Sequence, residues 1–218
     1  MEPSRGHSYR VGMTIRAVVF DIGGVLAECE PMDFAQRAEA EHGLRAGSLG
    51  AGLEDVWDAG RIGGVTEADV TAALLERCGL TAAQADAVLA EMWRQYLGVA
   101  NTRLIEWARG LRPAYRTGIL SNSFVGARER EQELFGFEDL VDDLVYSHEV
   151  GLSKPDPAIW EVTARRLSVE PAEIAFLDDL PRNVDAAREL GVSAVLFEST
   201  AQAIADLEAL LERARPAG

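Results

Sequence analysis

Four short segments of the chain end in side chains able to do chemistry. Asp21 follows the apolar run Ile15–Phe20, and Ser121-Asn122-Ser123 follows a run beginning at Gly118. Lys154 precedes Pro155, and Asp178-Asp179 follows the run Glu173–Leu177. Brought together, they would set three carboxylates against one ammonium. Carboxylates that close raise one another's pKa. A magnesium ion, which prefers oxygen ligands and keeps positions open for water and a phosphate oxygen, relieves the conflict. Asp21 could then bind the metal through one oxygen and attack phosphorus with the other. Lys154 and the Ser121 hydroxyl, with Asn122 beside them, would hold the transferring phosphoryl oxygens, in a reaction class driven by positioning and charge neutralisation. Each element alone has a plainer reading. An Asp at a strand end is a turn or cap residue, Ser-Asn-Ser a loop, Lys-Pro incidental, and Asp-Asp a helix cap. Their order, spacing and common placement carry the chemistry.

The elements that must position these groups are legible in the pattern. Ile15–Phe20, Gly118–Ser121, Leu144–Ser147, Glu173–Leu177 and Ser193–Phe197 read as short buried strands. Helices separate the later ones: one opens at Asp156-Pro157, one runs from Pro181 to Leu190, and one runs from Gln202 to Arg213. Between the first and second strands lies a helical region, roughly 33–112, with no strand pattern. Thr66–Asp69 and Thr81–Gln84 have the form of capping boxes there, and Gly79 ends the helix between them. Strands alternating with helices predict an α/β fold with a parallel sheet, interrupted by a helical insert after strand one. In such sheets ligands bind beyond the carboxyl ends of the strands, where these side chains fall.

Composition narrows the function further. The chain has 218 residues, 48% of them hydrophobic, enough for one sizeable core with a smaller insert. A net charge of -15 disfavours nucleic acid and anionic membrane surfaces as partners. An anionic substrate then needs a local cation. The two cysteines, Cys29 and Cys78, form no CxxC pattern, which excludes a zinc ribbon or disulfide framework and suits a reducing, cytoplasmic setting. No apolar stretch reaches about 18 residues, so no spanning helix is expected. Residues 1–14 are polar, with no signal-peptide core, and read as a loose tail, with Met13 an alternative start.

The four segments resemble the four motifs of the haloacid dehalogenase-like hydrolase superfamily: Val18–Leu26, Ile119–Asn122, Val150–Pro157, and Phe176–Asp179 followed by Asn183 and Ala186-Ala187. The resemblance covers about residues 15–200. It implies a Rossmann-like three-layer core, residues 15–29 and 100–218, and a helical cap, residues 30–99, that closes over the site. It implies magnesium as cofactor, Asp21 as the nucleophile of an aspartyl-phosphate intermediate, and Ser121 and Lys154 as phosphate-binding groups. Asp179 matches the direct metal ligand, Asp178 a ligand directly or through water, and the Gly23 carbonyl a further one. The expected activity is hydrolysis of a small organic phosphate, such as a sugar phosphate.

One position departs from the motif. Gly23 stands where most phosphatases of the family carry a second Asp, the general acid and base, whose contribution is typically about a hundredfold to ten-thousandfold. The carbonyl ligand survives, and the proton donor does not. Another group, from the cap for instance, could donate the proton, or the substrate could have a good leaving group. The alternative is a slow enzyme or a phospho-ligand-binding module on this scaffold. A dehalogenase would leave the paired Asp178-Asp179 without a metal to bind, and a mutase would need the shuttle that Gly23 lacks. Trp57, Asp58 and Arg61 form a polar-aromatic cluster in the cap that could face the substrate; cap packing is the plainer reading of Trp57, and Arg61 could equally pair with a nearby carboxylate. His148 is read as a strand-end residue away from substrate, and Gly23-Gly24 through Pro31 as a hinge.

Overall fold

A computed structural model describes residues 14–214. The tail expected at 1–14 lies, except for Thr14, outside the described residues. In chain order the elements are β1 (Ala17–Phe20), β2 (Ala27–Glu28), α1 (Phe34–His42), α2 (Glu54–Arg61), α3 (Glu67–Cys78), α4 (Ala82–Leu97), β3 (Val99–Ala100), α5 (Thr102–Arg109) and β4 (Arg116–Ser121). Then follow α6 (Ala127–Phe135), α7 (Phe137–Leu140), β5 (Asp143–Tyr146), α8 (Ser147–Val150), α9 (Pro157–Leu167), β6 (Ile174–Asp178), α10 (Pro181–Glu189), β7 (Ser193–Leu196) and α11 (Thr200–Arg213).

Five strands form one sheet in the order β5-β4-β1-β6-β7, every pairing parallel. The strands are apolar nearly throughout because both faces are covered. Val18, Phe20, Ile119, Ala175 and Leu177 pack on one side with Leu104 of α5, Leu140 of α7 and Leu207 of α11. Ala17, Val19, Leu120, Ile174 and Phe176, the alternate residues, pack on the other with Ile159 and Trp160 of α9 and Val184 of α10. The result is the expected three-layer α/β architecture.

The chain enters the sheet at β1 and builds outward through β4 and β5 on one side. It then crosses to β6 and β7 on the other. The strand order therefore reverses around β1, and the carboxyl ends of β1, β4 and β6 flank one crevice.

The segment α1–α4 builds a third apolar cluster from Leu49, Leu53, Val70, Leu74, Val88 and Met92, which also takes in Phe124 from the loop after β4. Its helices begin and end where the local chemistry dictates. Thr66 with Asp69 and Thr81 with Gln84 close reciprocal capping boxes, and Gly79 ends α3 at φ 68°. One feature differs from the sequence reading. Val99-Ala100 is not helical but pairs antiparallel with Ala27-Glu28, tying together the two places where the chain leaves and re-enters the sheet. Two residues are too few to show an alternation.

Candidate active site

Asp21 is the residue after β1, and its amide donates to Leu177 O of β6 at 2.9 Å. Its Oδ1 accepts from the Ile22 amide and from Lys154 Nζ, each at 2.8 Å. Lys154 is buried, and Nζ also donates to Asp178 Oδ2 at 2.7 Å and to Leu120 O at 2.9 Å. Asn122 fixes the lysine backbone at both ends: Oδ1 accepts from its amide at 2.7 Å and Nδ2 donates to its carbonyl at 2.8 Å.

Asp178 is fully buried. Besides Lys154 it accepts from the Leu180 amide at 2.8 Å and from Asn183 Nδ2 at 3.0 and 3.1 Å. Asp179 is half-buried and opens onto the cavity that Asp21 and Gly23 also line. One carboxylate oxygen from each of Asp21, Asp178 and Asp179 lies within 4.8 Å of the others. The loop after Asp21 turns back on itself, with Gly24 N–H donating to Ala27 O at 2.8 Å. Gly24 has φ 75°, and any Cβ there would collide with the Asp179 carboxylate.

The electrostatics follow from burial. Burial pushes the Asp21 carboxyl up, to about 7; Lys154 opposes that shift and Asp178 adds to it. Burial and the neighbouring Asp178 raise Asp179 as well. One ammonium does not neutralise three clustered carboxylates, two of them buried, so a cation bound here would be stabilised. The donor set fits a hard cation because it is all oxygen. Asn183, whose Nδ2 donates to Asp178, keeps its buried Oδ1 without a protein partner.

Comparison with known proteins gives the family. The model of the haloacid dehalogenase-like hydrolases matches residues 15–191. The chain belongs to this family. It is 28% identical over 214 residues to bifunctional epoxide hydrolase 2 of Sus scrofa, an alignment covering 90% of this chain and 39% of that protein. The chain thus spans about two fifths of that relative. It is 27% identical over 188 residues to D-ribitol-5-phosphate phosphatase of Bacteroides thetaiotaomicron, covering 81% of this chain and 89% of the relative. In fold it is similar to a family enzyme of Bacteroides thetaiotaomicron solved with magnesium and inorganic phosphate. The TM-score is 0.70, at 24% identity, over 84% of this chain and 93% of the other.

This haloacid dehalogenase-like hydrolase brings Asp21, Lys154, Asp178 and Asp179 together as the strand-end reading anticipates. Ser121 is buried at the end of β4, and the cavity wall beside it is made by Asn122 and Ser123. Trp57 does both things weighed for it: it packs on the helical cluster and faces the cavity. Arg61 pairs with Asp58 of its own helix. Cys29 and Cys78 are free thiols, and burial raises both.

Three groups escaped the sequence reading. Ser123 Oγ lies 2.6 Å from His148 Nδ1, and the Ser123 amide donates to Ser147 Oγ at 2.8 Å. Ser147 Oγ in turn donates to Arg61 O at 2.7 Å, so this polar knot joins α2 to the sheet edge. Phe124 reaches from the same loop into the helical cluster. Glu131 is buried and accepts from Tyr146 Oη at 2.7 Å. Burial raises it to about 7; the Tyr146 bond opposes this and the Asp21 charge adds to it. Nothing in the charged run Arg128–Glu133 distinguishes Glu131 from a solvated face.

Proposed function

We propose that the chain is a magnesium-dependent phosphomonoester hydrolase that works through an aspartyl phosphate on Asp21. The observation that carries this is the Lys154 ammonium, held 2.8 Å from Asp21 and 2.7 Å from Asp178 at a carboxylate cluster that opens into a cavity. Asp21, Asp179 and the Gly23 carbonyl would hold the ion, with Asp178 directly or through water. Magnesium there supplies charge neutralisation for the transferring phosphoryl group.

The side chains divide the remaining work. Asp21, oriented by the Ile22 amide and Lys154, attacks phosphorus as the bond to the leaving oxygen breaks, and the leaving oxygen takes its proton from solvent water. Lys154 faces the charge that grows on the phosphoryl oxygens, joined by the Ser121 hydroxyl and the Asn122 segment. Water then attacks the phosphoaspartate, giving up a proton to solvent, and the bond to Asp21 breaks, returning the carboxylate and inorganic phosphate. Asp178, with four donor contacts to its oxygens, orients Lys154. Residues 30–99 act as a cap over this site. Trp57, Met92 and Tyr96 from that segment line the cavity above Asp21, and the Val125 amide donates to Gly60 O at 3.0 Å across the junction. The substrate is a small organic phosphate; among the relatives one is named for D-ribitol 5-phosphate and another as a sesquiterpene phosphatase, a sugar-type and an apolar leaving group respectively.

The test is hydrolysis of a phosphate panel, aryl and sugar esters together, with magnesium or with EDTA, for the wild type and Asp21→Asn. Metal-dependent turnover that disappears in Asp21→Asn is the expected result. Equal turnover in EDTA, or turnover surviving in Asp21→Asn, overturns the mechanism. Binding of phosphate esters with no turnover would favour the binding-module reading.

A further inference from the structure

The cavity beyond Asp21 and Asp179 encloses about 930 Å³, near the upper end of the ~300–1,000 Å³ range of small-molecule sites. Part of its wall is carbon. Phe34, Leu49, Trp57, Met92 and Phe124 form it. The Phe34 ring stands edge-on to Trp57 at 5.5 Å between centroids, and Trp57 is 5.8 Å from Phe124, so the rings brace one another. Trp57 has one polar atom, Nε1, and it already donates to Leu49 O at 2.6 Å. What it offers a ligand is therefore an aromatic face.

The mouth has the same character. Among the described residues, five large hydrophobic side chains are strongly exposed, and three of them line this one cavity: Met32 at 48%, Ile62 at 47% and Leu180 at 37%. Single exposed apolar residues need no explanation, whereas several gathered at the rim of one concave site mark a binding surface. Asp58 and Arg61, the nearest charged pair on α2, neutralise each other. A polyol chain lying against Phe34, Trp57, Met92 and Phe124 would lose water from its hydroxyls with no hydrogen bond returned by those four side chains; the polar side chains that line the same cavity include Gln36, Tyr96, Ser153 and Arg182.

Resting on the phosphatase reading above, we infer that the substrate is a phosphate monoester with an apolar leaving group, a hydrocarbon chain lying along the aromatic wall. Phosphate chemistry occurs at Asp21, and the chain supplies binding energy through Phe34, Trp57 and Phe124 with Met32 and Ile62 at the entrance.

The experiment is kcat/KM with magnesium for straight-chain alkyl phosphates from two to ten carbons, below their micellar concentrations, beside ribitol 5-phosphate and glucose 6-phosphate. The expected result is a rise of up to about fourfold per methylene, with the decyl ester ahead of both polyol esters. Met32→Gln combined with Ile62→Gln, both at exposed positions, should lower the decyl value about tenfold and flatten the series. A flat wild-type series, or polyol esters ahead of the decyl ester, overturns the inference. The phosphatase reading still stands in that case if acetyl phosphate hydrolysis is present and is lost in Asp21→Asn. No turnover of any ester overturns both.

Discussion

The Lys154 ammonium lies 2.7 Å from the Asp178 carboxylate, and neither side chain reaches solvent. An ion pair of this kind is costly to break from one side, because the partner is left buried and uncompensated. Lys154→Met should lower stability by about 3–5 kcal/mol in EDTA, and magnesium should restore part of it by neutralising the carboxylates instead. Thermal melts with and without the metal check this. Equal stability of the two proteins in EDTA would show that the lysine does not hold the cluster together.

Gly24 meets two demands, a φ of 75° and a backbone close against the Asp179 carboxylate. Gly24→Ala must displace Asp179, so magnesium affinity should fall by tenfold or more. Titration calorimetry with magnesium reads this directly, and an unchanged dissociation constant would mean that Asp179 is not a ligand.

Gly23 is under no such constraint, since a Cβ there would meet only Cys29 Sγ, at 3.9 Å. Gly23→Asp should therefore fold and restore a carboxylate beside the reacting centre. General acid catalysis is worth about a hundredfold or more, so turnover of esters with poor leaving groups should rise at least tenfold relative to an aryl ester. An unchanged ratio would show that another group already supplies the proton.

Glu131 links stability to pH. Its carboxyl is raised by burial to about 7 in the folded protein, above the ordinary 4.5 of the unfolded chain. Between those values the folded state holds a proton that the unfolded state has lost. Stability from this group is thus complete below about pH 4.5 and falls as pH rises toward 7. Glu131→Gln keeps an acceptor for Tyr146 and removes the ionisation. It should stabilise the protein at pH 8 by up to about 3 kcal/mol and leave it near wild type at pH 5. Melting curves at the two values decide it; an equal effect at both would show that the carboxyl does not titrate in this range.

Much of the fold is legible because its signals are local. The runs that become β1, β4, β5, β6 and β7 are apolar and short, and each observed boundary lies within about two residues of the expected one. Thr66, Thr81 and Asp156 start helices through bonds to residues two or three positions on. The two-residue pairing of Ala27-Glu28 with Val99-Ala100 leaves no such trace, because its partners are some seventy residues apart and too short for a pattern.

The candidate site divides in the same way. Asp21, Lys154, Asp178 and Asp179 stand out by residue type and by position at strand ends, which is information the chain carries locally. The parallel order β5-β4-β1-β6-β7 then puts those ends side by side. By itself the sequence determined the α/β class, the strand-end cluster and a glycine, not a carboxylate, at position 23. Only the tertiary structure decided that Asp178 is engaged by Lys154 while Asp179 faces the cavity, that Glu131 is buried, and that Phe34, Trp57 and Phe124 make one wall. Those outcomes depend on which side chains from distant segments displace water from one another. Burial and charge coupling act through space, and no local pattern records them.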